Sequence, residues 1–224
     1  FWDYELKNID VYYTYGTEWE SEVRSKSETG FNLEIHSEKS HHLTNLRQKH
    51  PQKLNITKGK KPKILLVGLS YVGEAVQSWC KLSDKNQYYL EKSVCNSLSK
   101  FGQLIYRKHP KGHATNAVNE LSQKITLGSK GVVSEDFDWA DVIFVTYFGT
   151  LAVEAVLSGK KVVYLDLGIR PISSEYSELA KVIDCLKITQ DDVLLDVLSD
   201  YFLTFETSIS ETCLADFILK YYNG

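Results

Sequence analysis

The chain has 224 residues, 43% hydrophobic and 12% aromatic, with 26 Lys and Arg against 29 Asp and Glu for a formal charge of −3. This composition argues for a globular protein able to bury a sizeable core, and no apolar run reaches the ~20 residues that a membrane-spanning helix needs. Cys80, Cys95, Cys185 and Cys213 are widely spaced without a CxxC pair, which predicts reduced thiols in a cytoplasmic protein. The start, Phe1-Trp2-Asp3-Tyr4, is not that of a signal peptide. Methionine does not occur and the chain opens in mid-element, as expected of a fragment or of a sequence from which modified methionines were omitted.

Taken in order, residues 10–15 (DVYYTY) predict a short strand ending at Gly16, and Thr17-Glu18-Trp19-Glu20 opens a helix with the spacing of a capping box. Residues 32–35 are a second candidate strand. From Lys39 to Gly73 there are eight Lys and Arg and no acid. Pro51, Gly59 and Pro62 punctuate that stretch and no aromatic interleaves it, so it predicts a solvated linker rather than a nucleic-acid surface. His36, His41, His42 and His50 fit neither a helix-borne HExxH nor a zinc finger.

Residues 63–68 (KILLVG) have the basic entry, apolar run and glycine exit of a buried parallel strand. The turn from Gly68 to Gly73 resembles a dinucleotide fingerprint, but Ser70 replaces its middle glycine. No acid ends a second strand about twenty residues on, which argues against a dehydrogenase. A helix is expected over 88–100, with Leu90, Val94 and Leu98 inward and Gly102 as its stop, then a strand over 103–106. A helix over 114–124 follows. Residues 140–165 (ADVIFVTYFGTLAVEAVLSGKKVVYL) predict a strand, turn, apolar helix, turn and strand, a right-handed βαβ unit. An irregular loop over 166–174 and helices over about 174–183, 190–205 and 210–222 complete the chain. Alternating strands and helices predict an open α/β sheet, with an amino-terminal piece over 1–36, a linker over 37–62 and the main domain over 63–224.

Open parallel sheets bind ligands at the carboxyl ends of their strands, beside helix N-termini that attract phosphate. Tyr147-Phe148-Gly149-Thr150 lies at such an end. Thr150 and Glu154 are four apart, so a hydroxyl and a carboxylate share one helix face, suited to a phosphate at the turn and a sugar hydroxyl one turn down. Glu154 is the only charge in that apolar helix, and a lone acid there is costly without a partner. Arg107, Lys108 and His109 follow another strand, where cations and an imidazole would neutralise a diphosphate, and Pro110 turns the chain outward. Asp166 and Arg170, after the last strand of the unit, are candidates to touch a donor sugar; a solvated loop explains them equally well.

Three stretches resemble the carboxyl-terminal, donor-binding half of glycosyltransferases of the two-Rossmann-domain (GT-B) class. They are Tyr106-Arg107-Lys108-His109-Pro110, Trp139-Ala140-Asp141-Val142-Ile143, and Gly149-Thr150-Leu151-Ala152-Val153-Glu154-Ala155 with Gly159-Lys160-Lys161. The chain is similar to bacterial capsule and lipopolysaccharide sugar transferases and to CDP-glycerol-type polymer transferases. The resemblance covers about residues 63–183 and implies a Rossmann-like open parallel sheet with helices on both faces. It implies catalytic roles for His109 and Arg107 at phosphate, and donor contacts from Lys108, Phe148, Gly149, Thr150, Glu154 and Arg170, with Glu154 on the ribose. It also implies a nucleotide-sugar donor, a polysaccharide or lipid-linked acceptor, no cofactor, no required metal and no nucleic acid. The expected location is cytoplasmic, with the inner face of the cell membrane as an option. The general base of an inverting relative lies in the other half, so this chain alone is expected to bind donor and transfer little. Many relatives carry Ser-Ser or Ser-Thr where this chain has Phe148-Gly149-Thr150, and proline where it has Lys161. A nucleotide-sugar epimerase of the same fold and a non-catalytic polysaccharide-assembly module are the alternatives.

Overall fold

The computed structural model describes residues 11–15, 20–21, 24–25, 34–38, 41–49, 61–69, 71, 83–109, 120–121, 125–128, 133–147, 149–167, 183–188 and 194–203. The chain divides into two compact units, Phe1–Pro51 with Ser210–Gly224, and Gln52–Ile209. The border at 51/52 falls inside the expected linker, and that stretch also carries a helix, His41–Lys49 (α1). In the first unit Val11–Tyr15 (β1) pairs in parallel with Glu34–Glu38 (β2), Val11 opposite Glu34. Parallel pairing requires a crossover. Within it Arg24 donates from Nε to Glu20 at 2.9 Å and from a terminal nitrogen to the Ile35 carbonyl at 3.2 Å, tying the crossover to β2.

The second unit is built on six parallel strands: Lys63–Val67 (β3), Gln103–Arg107 (β4), Thr126–Leu127 (β5), Val142–Val145 (β6), Lys161–Asp166 (β7) and Asp184–Lys187 (β8). Their order across the sheet is β5-β4-β3-β6-β7-β8. The chain builds outward from β3 through β4 to β5, then returns to the other side of β3 and builds outward again. This is the doubly wound, Rossmann-like α/β arrangement. Among the described residues, this unit carries the helices Asp84–Leu98 (α2), Val133–Trp139 (α3), Thr150–Leu157 (α4) and Leu194–Leu203 (α5).

Alternation of side chains along each strand sends two apolar sets to opposite faces. Ile64 and Leu66, Leu104 and Tyr106, Val142 and Phe144, and Val163 and Leu165 form one core with Val94, Cys95 and Leu98 of α2 and Leu198 of α5. Phe202 of α5 stacks on Phe101 at 4.7 Å, which closes this layer. The intervening residues Leu65, Ile143, Val162 and Tyr164 are equally buried, on the side where α3 packs against β3 and α4 against β7. Strands buried on both faces must be apolar throughout, which explains KILLV and VIFV. The edge strands β5 and β8 alternate or expose their residues, so their sequence carries no such signal.

Several family-like motif residues belong to the fold. Asp141 accepts from the Lys63 amide at 2.8 Å while its own amide donates to the Lys63 carbonyl at 2.8 Å, which fixes β6 against the amino end of β3. The Trp139 ring lies under the Lys63 ammonium, 5.7 Å from ring centre to nitrogen. Gly159 has φ 73°, the left-handed conformation that ends α4, with its amide donating to the Val156 carbonyl at 2.9 Å. Lys160 then donates to the Asp138 carbonyl at 3.2 Å. The Trp-Ala-Asp and Gly-Lys stretches therefore sit at the amino-terminal edge of the sheet, opposite the carboxyl ends.

Candidate functional site at the carboxyl edge

Because all six strands are parallel, the residues that follow them gather at one edge. Gly68 and Leu69 follow β3, Lys108 and His109 follow β4, Thr146 and Tyr147 follow β6, and Leu167 follows β7. The order of strands reverses between β3 and β6, the switch point at which sheets of this kind place a ligand crevice.

Thr150 begins α4 on one side of the crevice. The helix buries Ala152, Val153, Ala155, Val156 and Leu157, so Thr150, Leu151 and Glu154 make up its outer face. The expectation that Thr150 and Glu154 share a face holds in this geometry. Glu154 is partly buried there. Gly149 is the N-cap with an extended backbone and no side-chain cap, leaving the first amides of the helix without a hydroxyl or carboxylate from that position. The Tyr147 ring folds back over it: a Cβ at 149 would stand 2.7 Å from Tyr147 Cε1. Only glycine at 149 leaves the ring in this position.

On the other side of the crevice, Lys108 and His109 are half-buried at the end of β4. Arg107 is the last residue of β4. Its guanidinium is in an ion pair with the Asp136 carboxylate of α3, and the two side chains are 16% and 5% exposed. A buried carboxylate needs such a partner, so the pair ties the end of β4 to α3. Phe148 and Arg170, both expected donor contacts, lie outside the described residues, as do Ser70 and Gly73 of the first turn and most of the 114–124 helix.

Sequence reasoning missed two features of this edge. The first is Glu91, 1% exposed on the inner face of α2. Its Oε1 accepts from the Leu69 amide at 2.8 Å, and its Oε2 accepts from the Tyr71 hydroxyl at 2.6 Å and the Tyr106 hydroxyl at 2.7 Å. Burial pushes the Glu91 carboxyl above the ordinary range, opposed by those three donors and by Gln87. Burial, then the Glu91 charge, pushes the neighbouring Cys95 thiol up to about 12. Spacing alone could have flagged Glu91, since Gln87, Glu91, Val94, Cys95 and Leu98 form one helical stripe. The second is Thr146, whose hydroxyl is buried beside the crevice with no hydrogen-bond partner among the described residues.

The second unit is thus a doubly wound α/β fold whose carboxyl edge carries Lys108, His109, Thr146, Tyr147, Gly149 and Thr150, with Glu154 one turn into α4. No family model matches the chain, and no curated protein matches it. Among solved structures it is similar to that of the wall teichoic acid polymerase TagF, with a TM-score of 0.46 and 12% identity over 99% of this chain and 55% of that one. The chain therefore spans about half the length of that structure. A likeness of this size assigns neither family nor activity.

Proposed function

We propose that the chain carries the donor-binding domain of a glycosyltransferase, holding a nucleotide-activated sugar or glycerol phosphate at the carboxyl edge of its sheet. The observation that carries the reading is the placement of Thr150 and Glu154 on the outer face of α4 beside the strand-order reversal. A diphosphate at the start of α4 meets the positive end of the helix dipole and the Thr150 hydroxyl. A ribose one turn further along meets the Glu154 carboxylate, which accepts from vicinal hydroxyls.

Transfer develops negative charge on the departing phosphate. In this reading Lys108 and His109 from β4, with the α4 amides, stabilise that charge, and groups fixed in advance do so without reorganising. Arg107 contributes through the Asp136 pair by holding the segment that carries Lys108 and His109. The acceptor is a surface polysaccharide or a lipid-linked chain, met in the cytoplasm at the inner face of the membrane. Among the described residues no helix is long and apolar enough to cross that membrane.

The test is calorimetric titration of the chain with UDP, CDP, CMP, GDP and NAD. The reading predicts binding of at least one of the four nucleotides and none of NAD. Binding of NAD alone, or of none of the five, overturns it.

A further inference from the structure

We propose that Glu91 is a positioning residue for the carboxyl-edge site, a single buried carboxylate that holds the turn after β3 and the end of β4 together as adjoining walls. The inference rests on reading that edge as an anion site, and extends it from the groups that would touch a ligand to the group that sets their spacing.

Packing α2 on the sheet does not call for a carboxylate. A leucine of similar bulk would fill the space beside Val94, Cys95 and Leu98 without the desolvation that a buried acid incurs. What a leucine cannot do is accept hydrogen bonds from two separate segments. Leu69 is the second residue past β3, at the strand-order reversal, and its amide ends on Glu91 Oε1 at 2.8 Å. Tyr71, two residues further, ends on Oε2 at 2.6 Å. Tyr106 belongs to β4, immediately before Arg107, Lys108 and His109, and ends on the same Oε2 at 2.7 Å. The two segments also meet directly: the Gly68 amide donates to the Arg107 carbonyl at 2.9 Å. A Cβ at position 68 would stand 2.7 Å from Tyr106 Cζ, so only glycine admits the tyrosine that reaches Glu91. Gly68, Tyr71, Tyr106 and Glu91 make one device, and the residues it fixes flank the crevice on the β3–β4 side. Sites that bind through fixed charges lose affinity steeply when their groups shift by an ångström.

The test uses the full chain with Glu91→Leu, Glu91→Gln and Tyr106→Phe, below the melting temperature of each. The readouts are calorimetry with inorganic pyrophosphate and residue-resolved amide hydrogen exchange. Glutamine keeps an acceptor for Leu69 and turns its amide nitrogen to the tyrosine hydroxyls, which rotate to accept; leucine satisfies none of them. Glu91→Leu should accelerate exchange locally at Leu69, Lys108 and His109 and weaken pyrophosphate by about tenfold or more. Glu91→Gln should restore both readouts to near wild type, and Tyr106→Phe should accelerate exchange at 107–109 more than at Leu69. A folded Glu91→Leu chain with wild-type exchange at these amides and wild-type affinity overturns the proposal. So does a uniform rise in exchange across the second unit, which would make Glu91 a residue of general stability. Where Glu91→Leu does not fold, Tyr106→Phe decides by the same local criterion. Should the wild type itself not take up pyrophosphate, the anion-site reading fails separately. Exchange alone then decides whether Glu91 holds the two segments: local acceleration supports it and its absence overturns it.

Discussion

The Tyr147 ring lies across Gly149, so close that a Cβ at 149 would stand 2.7 Å from Tyr147 Cε1. The relationship ties the half-exposed tyrosine to the start of α4 and leaves the helix without a side-chain cap. A serine at 149 would supply the missing cap but must first push the ring aside. Gly149→Ser alone is therefore expected to destabilise by about 1 kcal/mol, the cost of forcing the ring off its rotamer. In a Tyr147→Ala background the same change should stabilise by a few tenths of a kcal/mol, the ordinary difference between serine and glycine at an N-cap. Urea denaturation of the four chains measures the coupling, and additivity within about 0.3 kcal/mol would show that ring and turn are independent.

Arg107 and His109 should separate cleanly, although both sit at the end of one strand. Arg107→Ala removes the ion-pair partner of Asp136, whose side chain is 5% exposed, and is expected to cost about 3 kcal/mol. Adding Asp136→Ala should recover part of that loss, because the buried charge goes with it. His109→Ala should leave the melting temperature nearly unchanged and weaken nucleotide binding by about tenfold, the loss of one charge-assisted contact. A large stability loss from His109→Ala with unchanged affinity would make His109 structural instead.

Glu91 gives stability a pH dependence of definite sign. Its carboxyl is raised above the ordinary 4.5 by burial, so the folded chain holds this proton more tightly than the unfolded chain does. The contribution is complete below the unfolded value and is lost as pH rises toward the raised folded value. Denaturation of wild type and Glu91→Gln across a pH series isolates it. Wild type should lose stability relative to the glutamine chain as pH climbs from about 4.5, and parallel curves would show that Glu91 titrates normally.

The parts of the fold that were legible in the sequence are those whose burial is one-sided in chemistry. KILLV and VIFV are apolar throughout because both their faces are covered, and the glycine and serine after α4 mark its end. The edge strands β5 and β8 were missed because a strand with an open side need not be apolar. So was α3, whose VSEDFDW buries Phe137 and Asp136 on a seven-residue helix too short to show a period. The start of α2 is set by Ser83, which caps it by accepting from the Asn86 amide at 3.3 Å, seven residues before Leu90, the first apolar-periodic position. Within the site, Thr150 and Glu154 were legible because their spacing along one helix is local. The Asp136 partner of Arg107 lies 29 residues away, and the Tyr106 partner of Glu91 is 15 away. Such pairings depend on the order of strands, which local patterns do not contain. Glu91 was hidden by its chemistry as well, since a charged residue on a helix ordinarily faces solvent.

The most direct measurement compares two ligands on one variant. Glu154→Gln keeps the shape of the side chain but places a donor where vicinal ribose hydroxyls need an acceptor. Calorimetry should show nucleotide binding weakened by roughly 1.5–3 kcal/mol, the range for hydrogen bonds to a charged group, with far less change against inorganic pyrophosphate, which has no ribose. Equal losses for both ligands, or no loss for either, would contradict the placement of a nucleotide along α4.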